Sequence, residues 1–190
     1  MERLEREITH MASELKKKES VQDSLLRLTR ELVRDCSISV KLIHSGDLKR
    51  AAVQHKKAKG MLIRIQKLEA GFKHLVAQSY QEYVEISILL AIVKKEDIPT
   101  HSDLNVPFGP YMTGLCDCIG ELRRQMLEEL RHGNRNNAEY YFERMNWMYE
   151  ITMPLRFSNS LLPGFRKKQD VARVQVENAR SELLKSGVGI

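Results

Sequence analysis

The apolar residues of this chain recur at spacings of three, four and seven positions, and this helical period limits the possible folds more than any other feature. Only five prolines and ten glycines interrupt a chain of 190 residues. No β-branched run alternates strictly between apolar and polar residues, as a half-buried strand would. The sequence therefore predicts an all-α protein, and its length favours one domain over residues 1–190.

The predicted bundle has about six or seven helices, and the first of them is unusually long. It runs from about residue 2 to Ile43 and carries one apolar stripe, formed by Leu25, Leu28, Leu32, Cys36 and Ile43. After it, Gly46 suits a left-handed turn and Asp47 suits an N-cap. Further helices are predicted over about 48–74, 76–95, 110–131 and 137–156.

Two segments of the second half carry helix-breaking or capping signals. Three prolines and a glycine between residues 96 and 110 predict a connecting loop with at most a short helical turn. "NNAE" predicts a capped start for the helix from about 137. Pro163 is predicted in the first turn of a last helix, which would end in a frayed "SGVGI" tail.

The chain is basic, with a net charge of +6 and a pI of about 9.2. This charge favours an anionic partner and leaves nucleic acid, acidic protein and membrane surface open. No apolar run approaches the roughly 18 to 20 residues of a membrane span, and "MERLEREITH" is unlike a secretory signal, so we expect a cytoplasmic protein without membrane contact.

The three cysteines, an odd number, are predicted to be reduced structural thiols. The six scattered histidines are predicted to have surface or capping roles.

Two carboxylates interrupt the apolar helical segment "QEYVEISILLAIV". Glu82 and Glu85 are three positions apart and therefore share one helix face. Burying an ionised carboxylate without a partner costs roughly several kcal/mol. This pair therefore implies a cation partner, a metal ion or a water-filled cavity. The spacing alone does not choose among these.

A second pair of acids lies on the helix that follows the loop. Asp117 and Glu121 are four positions apart, on the side opposite an apolar stripe that includes Leu115, Ile119 and Leu122. One interpretation is an ordinary solvated face shared with neighbouring charges. The other is that this helix packs beside the helix of Glu82, which would bring four carboxylates together in an all-oxygen site suited to Mg²⁺ or Mn²⁺.

A line of basic residues runs along the first helix, interrupted by Asp23. Its members project within about 60° of one another at the helical period, and they are Lys16, Arg27, Arg30, Arg34 and Lys41. Such a line predicts salt-dependent contacts with the phosphates of a polyanion, or else a solvated face of ordinary charges.

Several segments together resemble the translin family, and more closely its translin-associated factor X branch. They are "LLRLTRELVRDCSISVKLIH", "QEYVEIS", "PYMTGLCDCIGELRR" and "GFRKKQDVARVQVENARSEL", and they span nearly the whole chain. The resemblance implies a translin-like helical bundle. The chain departs from that branch in its short loop and at Pro110, where the family often has aspartate.

The resemblance also implies a function. The branch is a metal-dependent endoribonuclease whose four acids match Glu82, Glu85, Asp117 and Glu121 here. Family members form hollow octamers with basic helix faces turned inward, and some combine with a translin subunit. We therefore expect a Mg²⁺- or Mn²⁺-dependent nuclease for single-stranded RNA or the single-stranded parts of duplexes. The alternatives are a non-catalytic shell that binds RNA or single-stranded DNA, and a protein-binding scaffold.

Overall fold

The structure, a computed structural model, describes residues 1–187 and contains seven helices and no strand within them. The helices are α1 (Glu2–His44), α2 (Leu48–Leu68), α3 (Lys73–Lys94), α4 (His101–Leu104), α5 (Phe108–Arg131), α6 (Arg135–Thr152) and α7 (Phe165–Gly187). The prediction of an all-α bundle with a long first helix is confirmed. None of the helices in this range is both long and apolar enough to cross a membrane.

The first two thirds of the bundle follow the predicted pattern closely. The apolar stripe of α1 is buried, with each of its five side chains at most 3% exposed. Gly46 adopts the left-handed conformation at φ +78°, and Asp47 accepts a hydrogen bond from the Arg50 amide at the start of α2. The predicted short helical turn in the loop is α4. Thr100 and Asp103 cap its N-terminus with the reciprocal hydrogen bonds of a capping box.

The predicted boundaries of three helices are wrong. The second helix ends at Leu68 and not near 74, because Gly71 at φ +84° closes a turn before α3. The helix predicted over 137–156 is α6, Arg135–Thr152, and Asn134 gives it no side-chain cap. Pro163 lies outside α7, because Gly164 at φ +76° turns the chain before the helix starts at Phe165. Residues 188–190 of the predicted frayed tail lie outside the described residues.

The central helix is α3, which packs against α1, α2 and α5. Most of its residues from Ser79 to Ile92 are buried, and a helix that is apolar nearly all round must be enclosed in this way. The three cysteines are free and buried, as predicted. His55 of α2 contradicts the surface role predicted for the histidines: its ring stacks on Tyr83 of α3 at 5.2 Å, and its pKa is lowered to about 4 by burial.

Gly114 of α5 packs directly against the backbone of α3. A Cβ atom at this position would lie 2.6 Å from the backbone oxygen of Gln81 and 2.9 Å from Val84 Cβ. Only glycine therefore allows the two backbones to approach so closely. Asp117 follows Gly114 by about one helical turn, so this contact also sets the distance between the acidic faces of α3 and α5.

We expect Gly114→Ala to destabilise the fold by about 1–3 kcal/mol, because the added methyl group meets backbone and not a movable side chain. Gly120→Ala is the matched control on the same helix, since a Cβ at Gly120 meets nothing within 4 Å. That control is expected to be neutral or to stabilise by about 0.5–1 kcal/mol. Urea denaturation of both variants measures the difference, and equal stabilities would contradict the steric role of Gly114.

Candidate functional site

The four predicted acids lie where α3 and α5 face each other. Glu82 and Glu85 project from α3, and Asp117 and Glu121 project from α5. All four are half-buried, so Asp117 and Glu121 do not lie on a fully solvated face. Gln81 of α3 donates a hydrogen bond to Asp117 Oδ2 across the helix contact, at 2.6 Å.

Glu85 experiences the strongest electrostatic effect of the four. Burial, and then repulsion from Glu82, Asp117 and Glu121, raise its pKa to about 8. Burial also raises the pKa of Glu82, with Asp117 as the next cause. Neither glutamate forms an ion pair within 4.0 Å in the described part of the chain, so the alternative of a Lys or Arg partner for this pair has no support there.

Asp117 and Glu121 each accept a hydrogen bond from a basic side chain. Lys168 of α7 donates from Nζ to Asp117 Oδ2 at 2.7 Å. His44, at the end of α1, donates from Nε2 to Glu121 Oε2 at 2.5 Å, and its Nδ1 lies 3.0 Å from Gln125 Oε1. The hydrogen bond from His44 is the main reason that the pKa of Glu121 is lowered.

Four helices thus meet at this carboxylate cluster, by which we mean Glu82, Glu85, Asp117 and Glu121. The oxygen-only donor set, its burial and the repulsion among its carboxylates, which helps to raise the pKa of Glu85, fit a hard divalent cation. Over residues 1–187, however, no three His, Cys, Asp or Glu side chains already surround one point as metal ligands do. Binding of an ion would therefore require the side chains to converge further.

The predicted basic line on α1 is exposed at all five positions. Arg30 and Arg34 border a cavity of about 370 Å³ whose other wall includes Gln78 of α3, about one turn before Glu82. Lys16 borders a separate groove on the N-terminal part of α1. Arg30 and Arg34 therefore share a cavity with Gln78, whereas Lys16 borders a different groove.

The sequence does not predict two basic residues that contact the carboxylate cluster. His44 was assigned a surface or capping role, but its side chain is only 6% exposed and contacts Glu121. Lys168 lies 51 positions after Asp117 in the sequence, and no local spacing connects the two. The proximity of either residue to the acids becomes apparent only from the contacts of α5 with α1 and α7.

Comparison with known proteins places this arrangement in context. No family model matches the chain. An uncharacterised protein of Methanocaldococcus jannaschii, MJ0175, is 30% identical over 184 residues, which cover 94% of this chain and 82% of that protein. AfC3PO, solved in a complex with duplex RNA, is 29% identical with a TM-score of 0.90, and the match covers 96% of this chain and 97% of that one.

A second structure of AfC3PO, also 29% identical with the same coverage, matches with a TM-score of 0.89. Apo-NeC3PO is 19% identical with a TM-score of 0.86, over 94% of this chain and 96% of that one, and this likeness concerns the fold. The chain belongs to the same family as the M. jannaschii protein. Its fold is that of AfC3PO and NeC3PO, which are translin-family C3PO components.

We expect Glu85→Gln to stabilise the metal-free protein increasingly as the pH rises. In the folded protein the pKa of Glu85 is about 8, whereas in the unfolded chain it is near the ordinary value of about 4.3. The stability contributed by protonated Glu85 is complete below the unfolded pKa and is lost as pH rises through the folded pKa. The neutral glutamine avoids this loss.

Thermal unfolding in chelator at about pH 5 and about pH 8 tests this. The advantage of Glu85→Gln should grow to at least about 3 °C in Tm at the higher pH. Glu143→Gln, on an exposed part of α6, is the matched control and should show no such trend. Parallel pH profiles for wild type and Glu85→Gln would contradict the raised pKa.

Proposed function

We propose that this protein is a divalent-metal-dependent endoribonuclease of the factor X branch, which cleaves single-stranded RNA or the single-stranded parts of duplexes inside a hollow oligomeric shell. The observation that supports this most directly is the carboxylate cluster itself. Four half-buried acids face one another across α3 and α5, and burial together with their mutual repulsion raises the pKa of Glu85 to about 8.

Each acid has a role in this proposal. Glu85, Asp117 and Glu121 would hold Mg²⁺ or Mn²⁺, and Glu82 would complete the shell or accept the proton of the attacking water. When bound, the ion would lower the pKa of that water and would neutralise negative charge on the phosphate. Burial raises the pKa of Glu82, which makes its carboxylate a stronger base than that of an exposed glutamate.

RNA binding is supported by charge and by likeness. Arg30 and Arg34 border a cavity that Gln78 also lines, about one turn before Glu82 on α3, so a phosphodiester chain held by these two arginines would run toward the acidic face of α3. The remaining residues of the basic line, Lys16, Arg27 and Lys41, would extend the contact along α1. AfC3PO, which shares this fold, was solved with duplex RNA.

The oligomeric shell is supported by an uncovered apolar stripe on α1. Nearly all of residues 1–20 are exposed. Their apolar members recur at spacings of four and three, as in a helix–helix seam, and they are Leu4, Ile8, Met11 and Leu15, each 52–67% exposed. We propose that other copies of the chain cover this stripe in a homo-octamer, with a translin-type subunit as an alternative partner.

We expect Ile8→Glu to lower the mass of the assembly, because the carboxylate would be buried without a partner in such a seam. Light scattering of the purified protein measures this. Ser13→Glu, exposed on the opposite side of the same helix, is the matched control and should leave the mass unchanged. A wild-type mass of 22 kDa, that of a single chain, would contradict the shell.

The nuclease is tested with a labelled single-stranded RNA in Mn²⁺, Mg²⁺ or chelator. We expect Asp117→Asn and Glu85→Gln each to lower cleavage by at least about 100-fold, because the ion would lose a charged ligand, while RNA affinity stays within about twofold. The control Glu143→Gln should cleave as wild type does. Unchanged cleavage in both variants would contradict the assignment of the site.

The complementary variant, Arg30→Gln combined with Arg34→Gln, should bind RNA more weakly and with a salt dependence lower by about two phosphate contacts.

The second candidate function, a non-catalytic shell that binds RNA or single-stranded DNA, is favoured by the lack of a ready-made ligand set in residues 1–187. It predicts salt-sensitive RNA binding with no cleavage in either metal.

A further inference from the structure

Lys168 is the lysine that the structure places directly on the carboxylate cluster. Its Nζ atom lies 2.7 Å from Asp117 Oδ2, and among the ion pairs of residues 1–187 no other lysine contacts any of the four acids. The side chains of Lys168 and Asp117 are 35% and 20% exposed. This pair is therefore less screened by solvent than an ordinary surface ion pair.

Lys168 shares a single oxygen of Asp117 with Gln81. Both side chains donate to Oδ2, at 2.7 Å from Lys168 Nζ and 2.6 Å from Gln81 Nε2. Oδ1 accepts no hydrogen bond from the described residues. The two donors, one from α7 and one from α3, therefore hold the Asp117 carboxylate in one orientation.

The charge of Lys168 also acts beyond Asp117. It lowers the pKa of both Glu82 and Glu85, in opposition to burial and to repulsion among the acids. This compensation is incomplete, because the net effect on both glutamates is still a raised pKa. The ammonium group of Lys168 thus acts on three of the four carboxylates, but it does not outweigh burial and the repulsion among the acids.

We propose that Lys168 is the internal counter-cation of the carboxylate cluster, which holds Asp117 in the metal-free protein and competes with a divalent cation for Asp117 Oδ2. This inference rests on the proposed metal site. A divalent ion carries more charge than an ammonium group and satisfies the cluster better. A lysine on its flexible four-carbon stem can withdraw, so the ion pair lowers the affinity for metal without blocking the site.

The pair also has a structural role before metal binds. It joins the first turns of α7 to the middle of α5, next to the close contact of α3 and α5. Loss of the ammonium would leave Asp117 half-buried with only the neutral Gln81 as a donor, which destabilises a carboxylate. Lys168 is thus a positioning residue whose removal has opposite effects on metal affinity and on metal-free stability.

The test compares Lys168→Met with Lys167→Met in the full-length protein. Mn²⁺ affinity is measured by electron paramagnetic resonance of free Mn²⁺ at constant pH and ionic strength, and thermal stability is measured in chelator. We expect Lys168→Met to bind Mn²⁺ about tenfold more tightly than wild type, because no internal cation must be displaced. The same variant should unfold at a lower temperature in chelator.

Lys167→Met is the matched control, because Lys167 is exposed at the adjacent position and loses the same charge from the same helix. It should leave Mn²⁺ affinity unchanged. Lys168→Arg keeps the positive charge, so its affinity for Mn²⁺ should be equal to or below that of the wild type. A merely structural role for Lys168 would lower stability without tightening Mn²⁺ binding.

The outcomes separate this inference from the proposed function. Equal or weaker Mn²⁺ binding by Lys168→Met, alongside metal-dependent cleavage by the wild type, would overturn the inference and leave the nuclease standing. If Lys168→Met and Lys167→Met both bound Mn²⁺ more tightly by the same factor, the inference would also be overturned. The cause would then be the lower net charge of the protein and not the contact of Lys168 with Asp117. No Mn²⁺ binding by any variant would overturn both the inference and the metal-dependent nuclease.

Discussion

The close approach of α3 and α5 at Gly114 is the contact on which the core and the carboxylate cluster both depend. The backbone of Gln81 lies where any side chain at position 114 would be. The same residue, through its side chain, donates to Asp117, and the adjoining positions on α3 include Glu82 and Val84. Packing of the core and placement of the acids therefore come from one helix–helix contact.

Bringing four carboxylates together has an electrostatic cost that the surrounding helices offset in different ways. Lys168 and Gln81 donate to Asp117, His44 donates to Glu121, and Glu85 retains its proton well above the ordinary range. A partly compensated cluster of this kind is costly for stability and useful for cation binding. This balance is the physical basis of the proposed metal site and of the role inferred for Lys168.

The long first helix combines two different surfaces. Its C-terminal part contributes the buried apolar stripe to the core and ends at His44 against Glu121. Its N-terminal part extends beyond the bundle with an uncovered apolar stripe, while the basic line lies on the side away from the core. Subunit assembly and RNA binding are therefore proposed for different faces of one helix, and the likeness to AfC3PO extends over 96% of the chain.

The sequence by itself determined the all-α class, the length of α1, its buried stripe and the pairing of acids on two helix faces. All of these depend on periodicity within one helix, where neighbours three or four positions apart share a surface. Helix ends set by left-handed glycines were harder to predict: Gly71 ends the second helix early, and Gly164 excludes Pro163 from the last one. Only the tertiary structure decided that the two acid pairs face each other and that His44 and Lys168 join them, because contacts across 77 and 51 positions leave no local pattern in a sequence.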